Sequence, residues 1–295
     1  MLKRFSQCFT LLRPHQWVKN SIVFAPLIFS KHFLEVSSVL RAFLTFIGFS
    51  LLASASYVLN DMVDREKDRI HPVKRNRPLA SGSVSLKEAL ILLFLCLGAG
   101  TTVLLLQARG VVWVGLAYFL MVTLYSFFLK SIVILDILIL AIGFDLRAFI
   151  GSLAIGVTLS PWLIISVFLL ALFLASTKRR QELVKLDGAD QHKRVLSFYS
   201  PALLDQMVSI LASTTLIAYT LYTLAPVRGA VKREGEELLF LTVPFVVYGI
   251  FRYLYLIYKK NDFGDPTDTL LKDLPLLIDL GLWGITTIVL LYFVR

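Results

Sequence analysis

The sequence predicts an all-α integral membrane protein, a bundle of nine transmembrane helices with the N-terminus in the cytoplasm. Composition is the first reason: 57% of the 295 residues are hydrophobic and only 17% are charged, with a mean hydropathy of +0.75. The second is blocking, since residues 42–60, 89–108, 110–129, 148–177 and 206–227 contain no Asp, Glu, Lys or Arg. Each block is close to or above the ~18–20 residues a helix needs to cross about 30 Å of hydrocarbon. The third is that Lys and Arg gather in alternate connections, the asymmetry that sets orientation in a bilayer. A water-soluble domain of this size needs a polar shell, which such blocks do not leave.

The spans are read at about 17–34, 38–60, 86–107, 110–129, 132–156, 160–177, 201–225, 237–258 and 273–294. Backbone groups in lipid must be satisfied within each segment, so all are expected to be helices. No aqueous connection is long enough to fold alone, and residues 1–295 are read as a single transmembrane domain. With the N-terminus inside, 21 of the 30 Lys and Arg fall on the cytoplasmic side and 7 on the other, while Arg147 and Arg252 lie within spans. Residues 1–13 hold Lys3, Arg4 and Arg13 but no apolar core before Pro14, so no cleavable signal is expected. The stretch Phe5–Leu12 reads as interfacial. Cys8 and Cys96 give neither a disulfide framework nor a metal quartet. Topology and contact with anionic headgroups account for most of the net charge of +10, and no nucleic-acid partner is implied.

Two loops carry more than topology requires. The segment NDMVDREKDRIHPVKRNRPLASG (60–82) starts where an uncharged span ends. Asp61, Asp64 and Asp68 stand at i, i+3 and i+7, which places them on one stripe of a helix with Asn60 beside them. Stacked carboxylates repel unless a cation sits among them. Oxygen-only ligands suit Mg²⁺, so Asn60, Asp61, Asp64 and Asp68 are its expected holders. The plainer alternative is local pairing on a solvated helix end: Asp61 with Arg65, Asp64 with Lys67, and Glu66 with Arg69. The position at the end of a membrane span, where extra charge is costly, favours the metal. Arg69, Lys74, Arg75 and Arg77 follow, with Pro72 and Pro78 bracketing a non-helical connection and Gly82 permitting a tight turn. A cation followed by a basic loop suits a diphosphate, while His71, before Pro72, reads as a turn residue.

The pattern NDxxDxxxDR followed by RPLASG resembles the first signature of the UbiA superfamily of intramembrane prenyltransferases. The intervening HPVKRNRP is similar to its decaprenyl-phosphate phosphoribosyltransferase-like branch, as are RPHQWVKN (13–20), LRAFIG (146–151), ALFLASTKRRQEL (171–183) and FRYLYLIYKK (251–260). The resemblance runs nearly end to end and agrees with nine helices. It implies Lys19 and Asn20 at a substrate phosphate. It also sets Tyr125 and Lys130 where relatives keep a Tyr and a Lys near the diphosphate.

Members that move prenyl groups carry a second Asp-rich motif between helices six and seven. This sequence has Lys178, Arg179, Arg180 and Glu182 there instead, with Lys178 and Glu182 at i, i+4. One acid cluster facing one basic cluster suits two anionic substrates: 5-phosphoribosyl diphosphate as donor and a polyprenyl phosphate lipid as acceptor. The bland alternative makes the three bases a membrane anchor. In span five, Asp136 and Arg147 are eleven residues apart and so share a helix face. Asp136, near the cytoplasmic end, is placed with Asp61 and Asp64 as a catalytic candidate. Arg147 is deeper and suits a structural partner equally well, and Asp145 is given no role. The acidic DFGDPTD (262–268) reads as an exposed connector.

The expected enzyme is therefore a Mg²⁺-dependent pentosyltransferase of the plasma (inner) membrane, multi-pass, with its site facing the cytoplasm. By resemblance it supplies a cell-wall precursor, an arabinan donor. A homo-oligomer is compatible with the sequence. The rival enzyme is a prenyltransferase acting on an aromatic acceptor, which needs the second acid set. The non-enzymatic rival is a lipid-phosphate binder or transporter, whose inverted repeats and midplane helix breaks are not evident.

Overall fold

The computed structural model describes residues 2–70, 72, 74–185, 194–224, 237–260 and 266–294. Every regular element among them is helical. His71, the connector beginning at Asp262, and loops 186–193 and 225–236 fall wholly or largely outside the described residues. The chain divides into two compact units: Met1–Leu27, His32–Ile139 and Leu146–Val157 form one, and Ile28–Lys31, Leu140–Asp145 and Thr158–Arg295 the other.

The elements of the first half are α1 (Leu2–Leu11), a 3-10 helix (Pro14–Phe24), α2 (Ala25–Phe29), α3 (Val36–Val63), α4 (Arg65–Ile70), a 3-10 turn (Lys74–Asn76), α5 (Leu86–Leu105), α6 (Val111–Phe127), a 3-10 turn (Leu129–Ser131) and α7 (Leu135–Ile155). Then come α8 (Pro161–Lys185), a 3-10 turn (Arg194–Phe198), α9 (Pro201–Leu224), a 3-10 turn (Glu237–Thr242), α10 (Val243–Tyr255), a π-helical turn (Leu256–Lys260), α11 (Pro266–Lys272) and α12 (Leu274–Tyr292).

Seven helical runs among the described residues are long and apolar enough to cross a membrane: α3, α5, α7, α8, α9, the run Glu237–Lys259 and α12. All coincide with expected spans. Helix α6, on an eighth, is apolar but has only 17 residues. The expected span at 17–34 is not one α-helix. Ala25 N–H bonds to the Ile22 carbonyl in the tighter 3-10 manner, and Pro26 has no N–H to return an α-type bond to that same oxygen.

In the first unit α3 and α5 cross through glycine. A Cβ on Gly100 would stand 2.8 Å from the Gly48 carbonyl oxygen, so only hydrogen lets the backbones meet, the small-residue packing of membrane helices. Phe49, Leu52, Leu104, Tyr118 and Ile150 fill the core beside this crossing. Helix α5 opens on a capping box: Ser85 Oγ accepts from Glu88 N–H at 3.3 Å, and the Glu88 carboxylate accepts from Ser85 N–H at 2.8 Å. In the second unit Phe173, Val208, Ile250, Tyr253 and Leu276 form the core. Asp273 caps α12 through Leu276 N–H at 3.0 Å and takes both arms of Arg252 at 3.0 and 2.8 Å. This pairing accounts for a charge expected inside a span.

Large apolar side chains remain outside, among them Trp113 at 71% and Phe94 at 64% exposure. In water each would forgo about 1.5–3 kcal/mol of burial, whereas hydrocarbon removes that cost. The outward surface thus agrees with the apolar blocks of the sequence.

Candidate active site

Helix α3 carries Asn60 and Asp61 into its last turn and then breaks. Asp64 has φ −90° and ψ 2°, with its N–H still bonded to the Asn60 carbonyl at 2.9 Å. Helix α4 restarts at Arg65, and Asp68 N–H closes on the Asp64 carbonyl at 2.8 Å. The row expected on one continuous helix is therefore a helix end, a break and a new first turn. Asp61 and Asp68 are buried, while Asp64 and Asn60 are half-buried.

The acids do not pair along the chain as local spacing suggests. Asp61 Oδ1 accepts from the Arg13 guanidinium and from Arg77 Nη1, the latter at 3.1 Å. The same Arg77 nitrogen donates to Asp68 Oδ2 at 2.6 Å. Lys130 Nζ donates to Asp64 Oδ1 at 2.6 Å. Of the expected local pairs only Glu66–Arg69 is found, at 3.0 Å on the exposed side. Three carboxylates thus meet three bases: Arg77 from the adjoining loop, and Arg13 and Lys130 from remote parts of the first unit. Among the described residues no group of three His, Cys, Asp or Glu is arranged to hold a metal ion.

The basic loop is folded onto this helix end by its own polar groups. Arg65 Nε donates to the Leu79 carbonyl at 3.3 Å and Arg69 Nε to the Ala80 carbonyl at 3.4 Å. The Pro78 carbonyl accepts from Val84 N–H and from Ser83 Oγ, each at 3.1 Å, and Gly82 turns the chain at φ +79°. Arg69, expected at a substrate, is thus engaged by the loop and by Glu66, whereas Arg77 reaches the acids. Lys74 is half-buried and Arg75 exposed in the 3-10 turn.

Two backbone outliers flank the row. Arg13 is left-handed (φ 51°, ψ 57°) and its guanidinium lies 5.5 Å from the Tyr57 ring centroid. A non-glycine residue there costs roughly 1–2 kcal/mol, which the bond to buried Asp61 helps offset. Ile134 has φ 70° and ψ −46°, a rare state for a β-branched side chain. It joins the turn carrying Lys130 to α7, whose first turn holds Asp136 fully buried. Tyr125 is half-buried near the end of α6.

Lys19 is half-buried on the 3-10 helix, and its neighbour Asn20 is buried. The Asn20 amide is committed within the protein: Nδ2 donates to Ser50 Oγ at 3.0 Å, and Oδ1 accepts from Arg147 Nε at 2.8 Å. Arg147 also donates to Tyr118 OH at 2.9 Å. Asn20, expected at a substrate phosphate, thus bonds to Ser50 of α3 and Arg147 of α7.

In the second unit, Lys178, Arg179, Arg180 and Glu182 end α8. Arg179 is buried and donates to Glu182 at 2.9 Å. Arg180 donates to Asp205 Oδ1 at 2.5 Å and stacks 4.1 Å from the Tyr258 ring centroid, while Tyr258 OH donates to the same Asp205 oxygen at 2.7 Å. Lys178 is half-buried.

Arg13, Asp205 and Tyr258 are partners that the sequence reading does not single out. Arg13 opens the RPHQWVKN motif, and Asp205 is a solitary acid in an apolar span, the same signal that marks Asp136.

The sequence model of the UbiA prenyltransferase family matches residues 23–267. The protein y4nM of Sinorhizobium fredii is 33% identical over 59% of this chain, a match that takes in only 34% of y4nM itself. The decaprenyl-phosphate phosphoribosyltransferase of Mycolicibacterium smegmatis is 30% identical over 96% of this chain and 91% of its own. Among solved structures, a UbiA homologue from Archaeoglobus fulgidus bound to GPP and Mg²⁺ superimposes with a TM-score of 0.74 at 18% identity, covering 96% of this chain and 99% of that one. The last shows the fold, and the first three matches agree with it. The chain belongs to the UbiA prenyltransferase family.

Proposed function

We propose that this protein transfers 5-phosphoribose from 5-phosphoribosyl diphosphate to a polyprenyl phosphate, releasing diphosphate at the cytoplasmic face of the plasma (inner) membrane. The whole chain would act as one UbiA-like domain of nine spans with the N-terminus inside. The observation that carries this reading is the set of three carboxylates gripped by Arg13, Arg77 and Lys130. Such a set can exchange partners with a diphosphate. The Mycolicibacterium relative, named for this reaction class, supports the choice of substrates.

Asn60, Asp61, Asp64 and Asp68 offer only oxygen donors and so fit Mg²⁺ in kind, once the bases are drawn off. When bound there, Mg²⁺ would neutralise charge on the diphosphate oxygens. Arg77, Arg13 and Lys130 would turn from the acids to the same diphosphate, with Lys19, Lys74 and Arg75 at its approach. Asn20 would hold the segment that carries Lys19, and Tyr125 would line the sugar. The bond from the anomeric carbon to the diphosphate oxygen breaks with its electron pair leaving on diphosphate, and positive character develops on the sugar. Guanidinium and ammonium groups aimed at the departing oxygens favour that step as charge grows. Asp136 would face the developing positive charge. Lys178, Arg179 and Arg180 would bind the acceptor phosphate, oriented with Glu182. An acceptor oxygen then closes the new bond to the anomeric carbon. The acceptor phosphate is already anionic at neutral pH, so no strong base is required.

The test is direct. Purified full-length chain is given Mg²⁺, phosphoribosyl diphosphate labelled in the sugar, and decaprenyl phosphate; label should move to the lipid phase. Prenyl transfer is the second reading, favoured by the GPP in the Archaeoglobus structure. It takes over if label stays water-soluble while a prenyl diphosphate is consumed with an aromatic acceptor.

A further inference from the structure

Resting on the donor-site reading above, we propose that the acid row admits a divalent cation only together with a diphosphate, because Arg13, Arg77 and Lys130 serve as counter-ions that must first be drawn off.

The Arg77 nitrogen stands between two of the carboxylates that would hold the ion. Nη1 lies 3.1 Å from Asp61 Oδ1 and 2.6 Å from Asp68 Oδ2, and those two carboxylates are only 2% and 5% exposed. An ion taking both oxygens at the ~2.0–2.1 Å of Mg²⁺ coordination cannot share the space with it. Three acids and three bases leave the cluster near neutrality. A divalent cation arriving alone would displace the bases into one another's field and leave the site strongly positive. A diphosphate arriving alone would pull Arg77 away, taking from buried Asp68 this partner and leaving buried Asp61 to Arg13, which is also unfavourable. When both arrive, the partners exchange: carboxylates pass to the metal, and the Arg forks and the Lys ammonium pass to phosphate oxygens. Each ligand therefore raises the affinity of the other, by the same factor in both directions.

The test titrates detergent-solubilised full-length protein with Mn²⁺ as the probe metal, with and without inorganic diphosphate, following bound Mn²⁺ by electron paramagnetic resonance and correcting for the Mn²⁺–diphosphate complex in solution. Wild type is expected to bind Mn²⁺ at least about tenfold tighter with diphosphate present. Arg77→Gln is expected to bind Mn²⁺ alone about tenfold tighter than wild type and to lose most of the coupling, since the bridging position is already open. In that variant Mn²⁺ alone should also raise the Tm more than in wild type. Equal Mn²⁺ affinity of wild type with and without diphosphate overturns the proposal, as does unchanged or weaker Mn²⁺ binding by Arg77→Gln. Diphosphate that fails to bind with or without Mn²⁺ overturns the donor-site reading itself and this proposal with it. Should Arg77→Gln not fold, the wild-type comparison decides, and Arg13→Gln carries the same expectation.

Discussion

Lys130 Nζ meets Asp64 Oδ1 at 2.6 Å, across 66 residues of chain. Both side chains are about one-fifth exposed, so the pair is accessible to a ligand yet shielded enough for its charge to count. In the proposed reaction Lys130 leaves Asp64 for the departing diphosphate. Lys130→Met should lower the transfer rate by roughly 10²-fold, the scale seen when one charge-stabilising donor is removed. Asp64→Asn should weaken Mg²⁺-dependent donor binding and abolish measurable turnover. Initial rates at saturating lipid phosphate check both, and full activity in Asp64→Asn would remove Asp64 from the site.

Why the acids were legible in the sequence and their partners were not follows from distance along the chain. Asp61, Asp64 and Asp68 announce themselves because a helical repeat relates near neighbours. Arg13 and Lys130 reach them only through the packing of the first unit, which no local spacing encodes. Arg77 shows the middle case. Its place in a basic loop suggests an anion, but the turn at Pro78–Val84 decides that it, and not Arg69, meets the acids. Seven membrane helices are legible in the sequence because hydrocarbon demands long apolar runs, but α8 continues past the expected 177 to Lys185, where charged residues hide its end. The 3-10 course of Pro14–Phe24 is not legible, because apolar content does not distinguish the two helix types, and only the donor missing at Pro26 hints at it.

In the second unit, Asp205 is expected to act as a positioning residue for Arg180. It takes Arg180 Nε and Tyr258 OH on one oxygen, and the Tyr258 ring supports the guanidinium from its face. Asp205→Ala should raise the KM for polyprenyl phosphate about tenfold while changing kcat little, because the loosened Arg180 still carries its charge. Asp205→Glu should recover most of the loss, and Tyr258→Phe should show a smaller effect of the same sign. A fall confined to kcat would argue against acceptor binding at Arg180.

Gly151 on α7 faces the Val23 carbonyl so closely that a Cβ would overlap it. Gly151→Ala must therefore push the 3-10 helix away from α7, at a cost of about 1–3 kcal/mol typical of overpacking. Because the moved segment follows Arg13 and carries Lys19, donor binding should weaken along with stability. Unfolding in mixed micelles and donor titration measure the two effects separately. Unchanged stability would mean that the approach relaxes without strain.

Arg147 offers the last and sharpest separation of structure from chemistry. The residue is 5% exposed, and its guanidinium holds Asn20 and Tyr118 and lies 4.9 and 5.6 Å from the ring centroids of Tyr118 and Phe49. Arg147→Met keeps much of the volume and removes the donors, so the Asn20 carbonyl oxygen loses this partner. Each buried polar group left unsatisfied costs roughly 1–3 kcal/mol. The variant should lose about 2–4 kcal/mol of stability, and Tyr118→Phe about 1 kcal/mol, since only one bond is removed. At a temperature where Arg147→Met remains folded, its KM for donor should shift less than tenfold, because the side chain acts on the first unit's interior through Asn20. A larger loss of turnover with stability intact would make Arg147 a ligand of the substrate, and the structural assignment would fall.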